Sequence, residues 1–554
     1  MATKLDISKY GGSPASTRRS PTPASLRASW TQDRTTRNHA INVQIANIRK
    51  AKKVDFCIVM DCTGSMARHL AACSSHVLRL VEYVGKINGS VQVRWGFVGY
   101  RDHEDGARRL EWLDFRNDDG RAFRTVVGEI QAFGGGDEPE DVLGGLWEAM
   151  QRLSWSGGTK IIFHVGDAPP HGRIFTSGSD NYPGGDPNGL RHETVLRKMR
   201  SLGILYYFGS INNSTDRMIE IFQQTLGKIT VFNVKSTQPQ TLVDQFVKAS
   251  SVAIAQSVML TSTIAFANAS TLGKADLPMD PNQPDNWKNV PTIKGTSYTF
   301  NIPKSMDKIM SLEYWTRANL ISGSVAIKVA EKPFSKGVER YAYYGRSIKA
   351  MSKDEAVVLK KFADEGSVSD FERYLTSLEV QTIAAYMAFE FNRYNCTLSL
   401  LLLINDVLQL LKLSVHCALF PPAANAKKVK FLKARVIKTA AYGEPRYCSE
   451  EPLYRDANFK RFNCNAGVIT EFHSTLEAFA HFTYQFTEGY LVVTDLQGAE
   501  YQTEFILTDP AILCVDNLRF GQTNLGSGGI KECFVANHRC NSVCQQLGLK
   551  VIGA

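Results

Sequence analysis

The chain is short of the features that would send it outside a cell or into a membrane. Its first residues lack an apolar signal core, so no secretory leader is expected. Eleven cysteines in 554 residues are too few, odd in number and too irregularly spaced for a disulfide framework. Cys57, Cys62 and Cys73 fall in or beside a predicted buried strand and helix, which fits a reducing, cytoplasmic setting. No run of 18 uncharged apolar residues exists, because Asn405, Asp406, Gln409 and Lys412 interrupt the apolar stretch Thr397–Phe420. That stretch is expected to be a buried helix, with no transmembrane span. A strong charge bias is also missing: 64 Lys and Arg face 54 Asp and Glu, and the small excess sits in the N-terminal tail and in scattered lysines. No nucleic-acid surface is expected. There is no internal repeat.

What is present reads as several segments. Residues 1–40 are rich in Ser, Thr, Pro and Arg and poor in large aliphatics, so they are expected to form a disordered basic tail. From Val54 the pattern changes to continuous apolar runs: FCIVMD, VRWGFVGYRD, KIIFHVGD, ILYYFGSI and ITVFNV. Such runs alternating with helical stretches predict a doubly wound parallel α/β sheet over residues 52–255. Four prolines between 278 and 291 mark a linker over 256–294. The remainder, 295–549, mixes alternating strands with helices and predicts an α+β domain.

The first chemical motif ends the first strand. Asp61, Thr63 and Ser65 form D-C-T-G-S, a set of hard oxygen donors suited to Mg²⁺. Ligands in open parallel sheets bind beyond the carboxyl ends of strands. Asp167 ends another strand, and the loop FGGGDEPED adds Asp137. The strings VDFCIVMDCTGSM, GFVGYRDHED, GGGDEPEDVLGGLWEA and VGDAPPHG resemble a von Willebrand factor A (vWA) domain with its metal-dependent adhesion site. The resemblance implies metal ligands Asp61, Thr63, Ser65 and Asp167, with Asp137 standing where that family usually has a loop threonine. It also implies a protein partner bound through the metal, and no catalysis at this site.

The second constellation fills the last seventy residues: LVVTDLQG, LTDP, FGQTNLGSGG and HRCNSVC. Phosphoryl transfer needs a lysine on the phosphates, oxygen ligands for Mg²⁺, a group near the attacking hydroxyl and a loop where backbone approaches the nucleotide. Asp495 and Gln497 follow one strand and Asp509 another; Asn524, Gly526 and Gly529 mark the loop. His538, Cys540 and Cys544 are soft donors suited to tetrahedral zinc, with His481 in AHFTYQF as the fourth. With no open position, such a zinc would brace the fold. The combination resembles the α-kinase family of atypical serine/threonine protein kinases over roughly Gly295–Leu549. The resemblance implies Asp495 and Asp509 as catalytic carboxylates and Gln497 with Asp509 on Mg²⁺. Its F-x-x-G-x-x-R-x-A pattern falls on Phe334, Gly337, Arg340 and Ala342, which places Arg340 at the nucleotide and Lys360 on the phosphates. VAIK, ending at Lys328, imitates the lysine strand of conventional kinases and is the decoy. Glu451 in the E-P pair is implied beside the adenine. Two departures stand out: Arg455-Asp456-Ala457-Asn458 where the family has Glu-Gly, and Arg461 where it has lysine. Residues 395–425 read as an insertion or a retained intron.

The sequence therefore predicts an ATP- and Mg²⁺-dependent protein serine/threonine kinase with a structural Zn²⁺, acting on a protein substrate, behind a vWA domain that recruits a protein partner. A dead kinase-like scaffold is the alternative, disfavoured by the intact Lys360, Asp495, Gln497 and Asp509.

Overall fold

The computed structural model describes residues 24–264, 277–337, 339–349, 353–363, 370–410, 426–441, 444–454 and 459–552. The chain divides into two compact units, Ala46–Ser262 and a second unit made of Met1–Ile45 with Thr263–Ala554. The departures at 455–458 and the end of the insertion at 411–425 lie outside the described residues. Among the described residues no helix is long and apolar enough to cross a membrane.

A helix α1 (Ala24–Ala51) leads the described chain, and the Ala46–Ser262 unit follows. That unit is a six-stranded sheet: β1 (Lys53–Asp61), β2 (Gln92–Tyr100), β3 (Leu110–Arg116), β4 (Thr159–Gly166), β5 (Ile204–Ser210) and β6 (Thr230–Asn233), in the order β3-β2-β1-β4-β5-β6. β2, β1, β4, β5 and β6 run parallel, and β3 is antiparallel to β2. The uninterrupted apolar strands are the central ones, buried on both faces: every residue of β1 after Lys53 is buried. β3 was not anticipated. LEWLDFR alternates in polarity because it is an edge strand, with Leu113 and Phe115 turned inward. The crossovers are α2 (Ala67–Ile87), α3 (Arg121–Glu129), α4 (Val142–Arg152), α5 (His192–Ser201), α6 (Asp216–Leu226) and α7 (Pro239–Ile264). In α2, Leu70, Cys73, Val77, Leu80 and Val84 make one buried stripe at three- and four-residue spacing. α7 runs through the start of the expected linker.

In the other unit six antiparallel strands close into a ring. They are β7 (Ile293–Thr299), β8 (Ile321–Val329), β10 (Arg340–Ile348), β11 (Glu355–Phe362), β13 (Arg435–Ala441) and β14 (Glu444–Pro452); the short β9 (Ser335–Lys336) pairs with β10. The order is β11-β14-β13-β7-β8-β10, and β10 pairs back to β11. Ile327, Tyr341, Tyr343, Val357, Leu359, Ile437 and Cys448 fill the ring. The proline-rich stretch lies along it: Tyr341 and Tyr344 hydroxyls bond to the Leu277 amide and the Pro281 carbonyl.

A second layer holds the sheet β12 (Lys428–Phe431), β18 (Glu504–Thr508), β17 (Gln497–Glu500), β15 (Phe459–Arg461) and the pair β16 (Leu491–Thr494)–β19 (Ala511–Cys514). The helices are α8 (Met306–Met310), α9 (Phe371–Leu410), α10 (Ser474–Phe486), α11 (Gly526–Gly529) and α12 (Ser542–Gln546). Phe391, Phe479, Phe482, Leu491 and Leu507 are the centre of its core.

The segment expected to stay disordered through residue 40 instead enters α1 at Ala24, and α1 as far as Ile45 belongs to this unit. The Arg37 guanidinium donates to the carbonyls of Asn517 (3.3 Å), Gly521 (3.2 Å), Gln522 (3.1 Å) and Asn524. Ile41 and Ile45 are buried, and a Cβ on Gly528 would stand 2.9 Å from Ile45 Cδ1. The tail composition hid this because the partners lie some 480 residues away. Hydrogen bonds to a charged group contribute about 1.5–3 kcal/mol. Arg37→Ala in the full chain is therefore expected to lower the melting temperature and speed amide exchange across 516–529; unchanged exchange there would show that α1 does not hold the loop. A fragment beginning at Gly295 would lack this helix altogether.

Candidate functional site

In the C-terminal unit, register places the charges. β11 pairs with β10 and β14, so Lys360 lies opposite Ala342 on one side and Ser449 on the other, with Glu451 opposite Val358. Lys360 Nζ donates to Glu451 Oε2 at 2.8 Å and to Asp509 Oδ2 at 2.6 Å. Arg340 Nη2 donates to the other Asp509 oxygen at 2.9 Å. The Thr508 hydroxyl donates to Glu451 and lies 3.4 Å from Lys360 Nζ. Lys328 is elsewhere, capping the Trp287 carbonyl at 2.6 Å. Lys361 turns away and stands over the Tyr343 ring.

Both aspartates follow strands and adopt left-handed backbone, Asp495 at φ 56° and Asp509 at φ 48°. A non-glycine residue there costs about 1–3 kcal/mol of strain, and Asp tolerates it best. Gln497 pairs with Thr508 across β17–β18, which brings its amide to the Asp509 carbonyl at 3.1 Å. Arg461 Nε stands 3.1 Å from Asp495.

Environment drives the two carboxylates apart. Burial opposes ionisation of Asp509, but Lys360 and Arg340 win and hold its pKa at about 2. Burial raises Asp495 to about 6; Arg461 opposes the rise and Asp509 adds to it. Burial alone would lower Lys360, but Asp509 and Glu451 more than offset it and hold the ammonium above the usual lysine range. One carboxylate is thus fixed as an anion and the other titrates near working pH, a separation suited to two different roles.

Asn524 was expected to touch a nucleotide, and its geometry argues otherwise. It is fully buried. Its oxygen accepts from the Cys514 amide (2.8 Å) and the Gly526 amide (3.0 Å), and its nitrogen donates to the Asp516 (2.8 Å) and Arg519 (2.9 Å) carbonyls. The side chain organises its own loop and has nothing left for a ligand. Gly526 has φ 64°, and a Cβ on Gly529 would stand 2.2 Å from Leu525 Cβ, so both glycines are demanded by the turn and its packing.

His481, His538, Cys540 and Cys544 come together with their ligand atoms within 4.8 Å of one another. Cys540 Sγ is 3.8 Å from His481 Nδ1 and Cys544 Sγ is 3.7 Å from His538 Nε2. Tetrahedral zinc with bonds of 2.0–2.3 Å puts its donors roughly 3.3–3.8 Å apart, so these four residues fit the ion. The Asn541 side chain caps α12 by accepting from the Val543 and Cys544 amides, which fixes Cys544. Glu477 lies 3.8 Å from His538 Nδ1, placed to orient that ring.

In the Ala46–Ser262 unit the ends of β1 and β4 carry Asp61 and Asp167. Asp61 Oδ1 accepts from the Thr63 amide (2.8 Å) and hydroxyl (2.7 Å), and the Thr63 hydroxyl is 3.3 Å from the Ser65 hydroxyl. Asp61 Oδ2 is enclosed without a hydrogen-bond partner. Burial and Asp167 push Asp61 up to about 7. Asp137, expected here, is gathered instead with Asp102 and His171. Its chain neighbour Glu140 is the residue the sequence reading missed. Glu140 is 3% exposed, has an unpartnered Oε2, and is pushed to about 10 by burial and then by Asp61, Asp102, Asp105 and Asp167. Its Oε1 would be 2.9 Å from a Cβ on Gly135, whose φ of 86° also calls for glycine. Buried carboxylates that raise one another fit a divalent cation.

Two family models match: the α-kinase family over residues 335–544 and a von Willebrand factor A domain over 55–177. The chain joins a vWA domain to an α-kinase domain. The α-protein kinase vwkA of Dictyostelium discoideum is 29% identical over 559 residues, covering 98% of this chain and 84% of that protein. Myosin heavy chain kinase A of the same organism is 32% identical over 244 residues, covering 41% of this chain and 20% of that one. A crystal structure of the α-kinase domain of myosin heavy chain kinase A with AMP aligns at 26% identity over 47% of this chain and all of that one, with a TM-score of 0.35.

The α-kinase domain brings Lys360, Arg340, Glu451, Gln497 and Asp509 into one cluster, with Asp495 in the field of Asp509. The sequence reading missed Thr508. Its signal was present: in LTDP it directly precedes Asp509. Arg461, noted only as a departure, turns out to be the cation on Asp495.

Proposed function

We propose that the protein is an ATP-dependent protein serine/threonine kinase of the α-kinase type. The observation that carries the reading is the Lys360–Glu451–Asp509–Arg340 network, two cations converging on an ionised carboxylate at a strand end. Asp509 and Gln497 are the oxygen donors for Mg²⁺, which when bound would screen phosphate charge. Lys360 and Arg340 offer positive charge to the phosphates. Asp495 accepts the proton of the attacking Ser or Thr hydroxyl as that hydroxyl oxygen bonds to the γ-phosphorus of ATP, while the bond from the γ-phosphorus to the β–γ bridging oxygen breaks and ADP leaves. His481, His538, Cys540 and Cys544 hold a structural zinc. The decisive experiment incubates the full chain with labelled ATP, Mg²⁺ and a generic basic protein, with Asp509→Ala as control. Label transfer equal in both would leave only a kinase-like scaffold.

The role of Asp495 sets the pH dependence. A proton acceptor works only when ionised, so kcat/KM should fall on the acid side through about pH 6. Arg461 favours the ionised form. Its removal in Arg461→Met should move that acid limb to higher pH. A limb that stays in place would assign it to another group.

The vWA domain, in this reading, recruits a protein partner in the reducing cytoplasm through a divalent metal held by Asp61, Thr63, Ser65 and Asp167, with Glu140 on the loop. Asp61→Ala should spare phosphorylation of the generic substrate and lose chelator-sensitive partners in a pull-down. Loss of generic activity with an unchanged pull-down would instead make the vWA domain a part of the kinase machinery.

A further inference from the structure

Beyond the Asp61 site, the vWA unit gathers a second, chemically different set of donors. Asp102 follows β2, Asp137 follows the triple-glycine loop, and His171 lies five residues past the end of β4. Asp102 and His171 therefore come from the carboxyl-end side of β2 and β4, the two parallel strands that flank β1, where such sheets bind ligands. Their ligand atoms and that of Asp137 lie within 4.8 Å of one another. Asp102 is fully buried, His171 is 2% exposed and Asp137 is half-buried.

The histidine is held as metal-binding histidines are held. Asp180 Oδ1 accepts from His171 Nδ1 at 2.8 Å. Asp180 is itself fixed by the Gly172 and Tyr182 amides, each at 2.8 Å. A proton on Nδ1 leaves Nε2 as the lone-pair nitrogen, and Nε2 stands 3.0 Å from Asp102 Oδ1. Two acceptors at that distance repel unless a proton or a cation lies between them.

The carboxylates point the same way. Asp137 Oδ2 accepts from the Asn181 amide, and Oδ1 is enclosed with no hydrogen-bond partner. Buried Glu140, also with an unpartnered oxygen, flanks the same glycine loop: its Oε1 is 2.9 Å from the Cβ position of Gly135, and Asp102 Oδ2 is 3.4 Å from that of Gly136. The nearby arginines are engaged elsewhere, Arg101 with Glu111 at 2.6 Å and Arg109 with Asp141 at 3.2 Å.

We propose that Asp102, Asp137 and His171 form a second divalent-cation site in the vWA unit, taking a first-row transition-metal dication such as Mn²⁺ or Zn²⁺. One imidazole and two carboxylates are the donor set for that class, whereas the all-oxygen Asp61 site suits Mg²⁺. Three protein ligands leave coordination positions open for water or for a partner's donor atom.

The test uses Mn²⁺ as probe on the full chain in an Asp509→Ala background, so that the kinase cleft adds no site. Equilibrium dialysis should count two Mn²⁺ per chain. Asp61→Ala should remove one and His171→Gln the other. Pulsed electron paramagnetic resonance should show ¹⁴N coupling from an imidazole, retained in Asp61→Ala and lost in His171→Gln. Asp180→Asn should weaken the nitrogen-coupled site by about 10–100-fold through loss of ring orientation. Should His171→Gln fold poorly, half-buried Asp137→Asn replaces it and must lose the same ion. Unchanged stoichiometry in these variants, with no ¹⁴N coupling in the parent, would overturn the proposal and make His171 an imidazolium bridging Asp102 and Asp180. Loss of the Asp61 ion alone bears only on the recruitment site.

Discussion

Lys360→Met is expected to cut phosphoryl transfer by about 10²–10³-fold, the cost of removing one preorganised charge from a phosphate-handling site. Lys328→Met should leave it near the parent level. The contrast rests on where the two ammonium groups go: Lys360 meets Glu451 and Asp509, and Lys328 meets a backbone carbonyl. The same network complicates the experiment. Lys360 is only 10% exposed at its side chain and Glu451 only 5%. Removing one member of a buried pair costs about 3–5 kcal/mol because the other charge is stranded. The Thr508 hydroxyl softens this for Glu451, and Arg340 does so for Asp509. Activity must therefore be normalised to the folded fraction from a thermal melt. Full activity in folded Lys360→Met, with loss in Lys328→Met, would assign phosphate binding to the wrong strand.

What the sequence made legible was local. Five of the six vWA strands are apolar runs, and burial on both faces is the reason for the central ones such as β1 and β4, whereas β6 is a partly exposed edge strand. DLQG and LTDP were legible as strand-end carboxylates, and the left-handed backbone at both aspartates narrows the residues that fit there without strain to Gly, Asn and Asp. The choice between Lys360 and Lys328 was legible only through the resemblance, since both sit in apolar strands. What stayed hidden was non-local. Helix α1 carries a tail's composition until its partners at 517–528 are known. Asn524 looks like a ligand in a glycine loop, and only the fold shows all four of its hydrogen-bonding capacities turned inward. Asp137 and Glu140 are three residues apart in GGGDEPED, and sequence could not tell which carboxylate faces Asp61. Burial and the field of four neighbouring aspartates answered that for Glu140.

The zinc site gives the largest expected effect on stability. One equivalent of zinc should copurify with the full chain, held by His481, His538, Cys540 and Cys544. Cys544→Ala should lower the melting temperature severely and release the metal, because a closed structural site contributes its binding free energy directly to folding. The geometry explains why the loss is not local. His481 lies on α10, whose Phe479 and Phe482 pack on Phe391 of α9, and Cys544 lies on α12 in the same core. Without the ion, burial pushes the Cys544 thiol up to about 12 and, with His538, pulls His481 down to about 4. The apo cluster is then two buried imidazoles and two thiols with poor mutual hydrogen bonds. Ligand thiols must lose their protons to bind metal, so affinity should fall as pH falls. The check is metal analysis beside thermal melts of parent and Cys544→Ala, with and without chelator. Well-folded parent protein lacking zinc, or a Cys544→Ala variant melting at the parent temperature, would reduce the cluster to ordinary core packing.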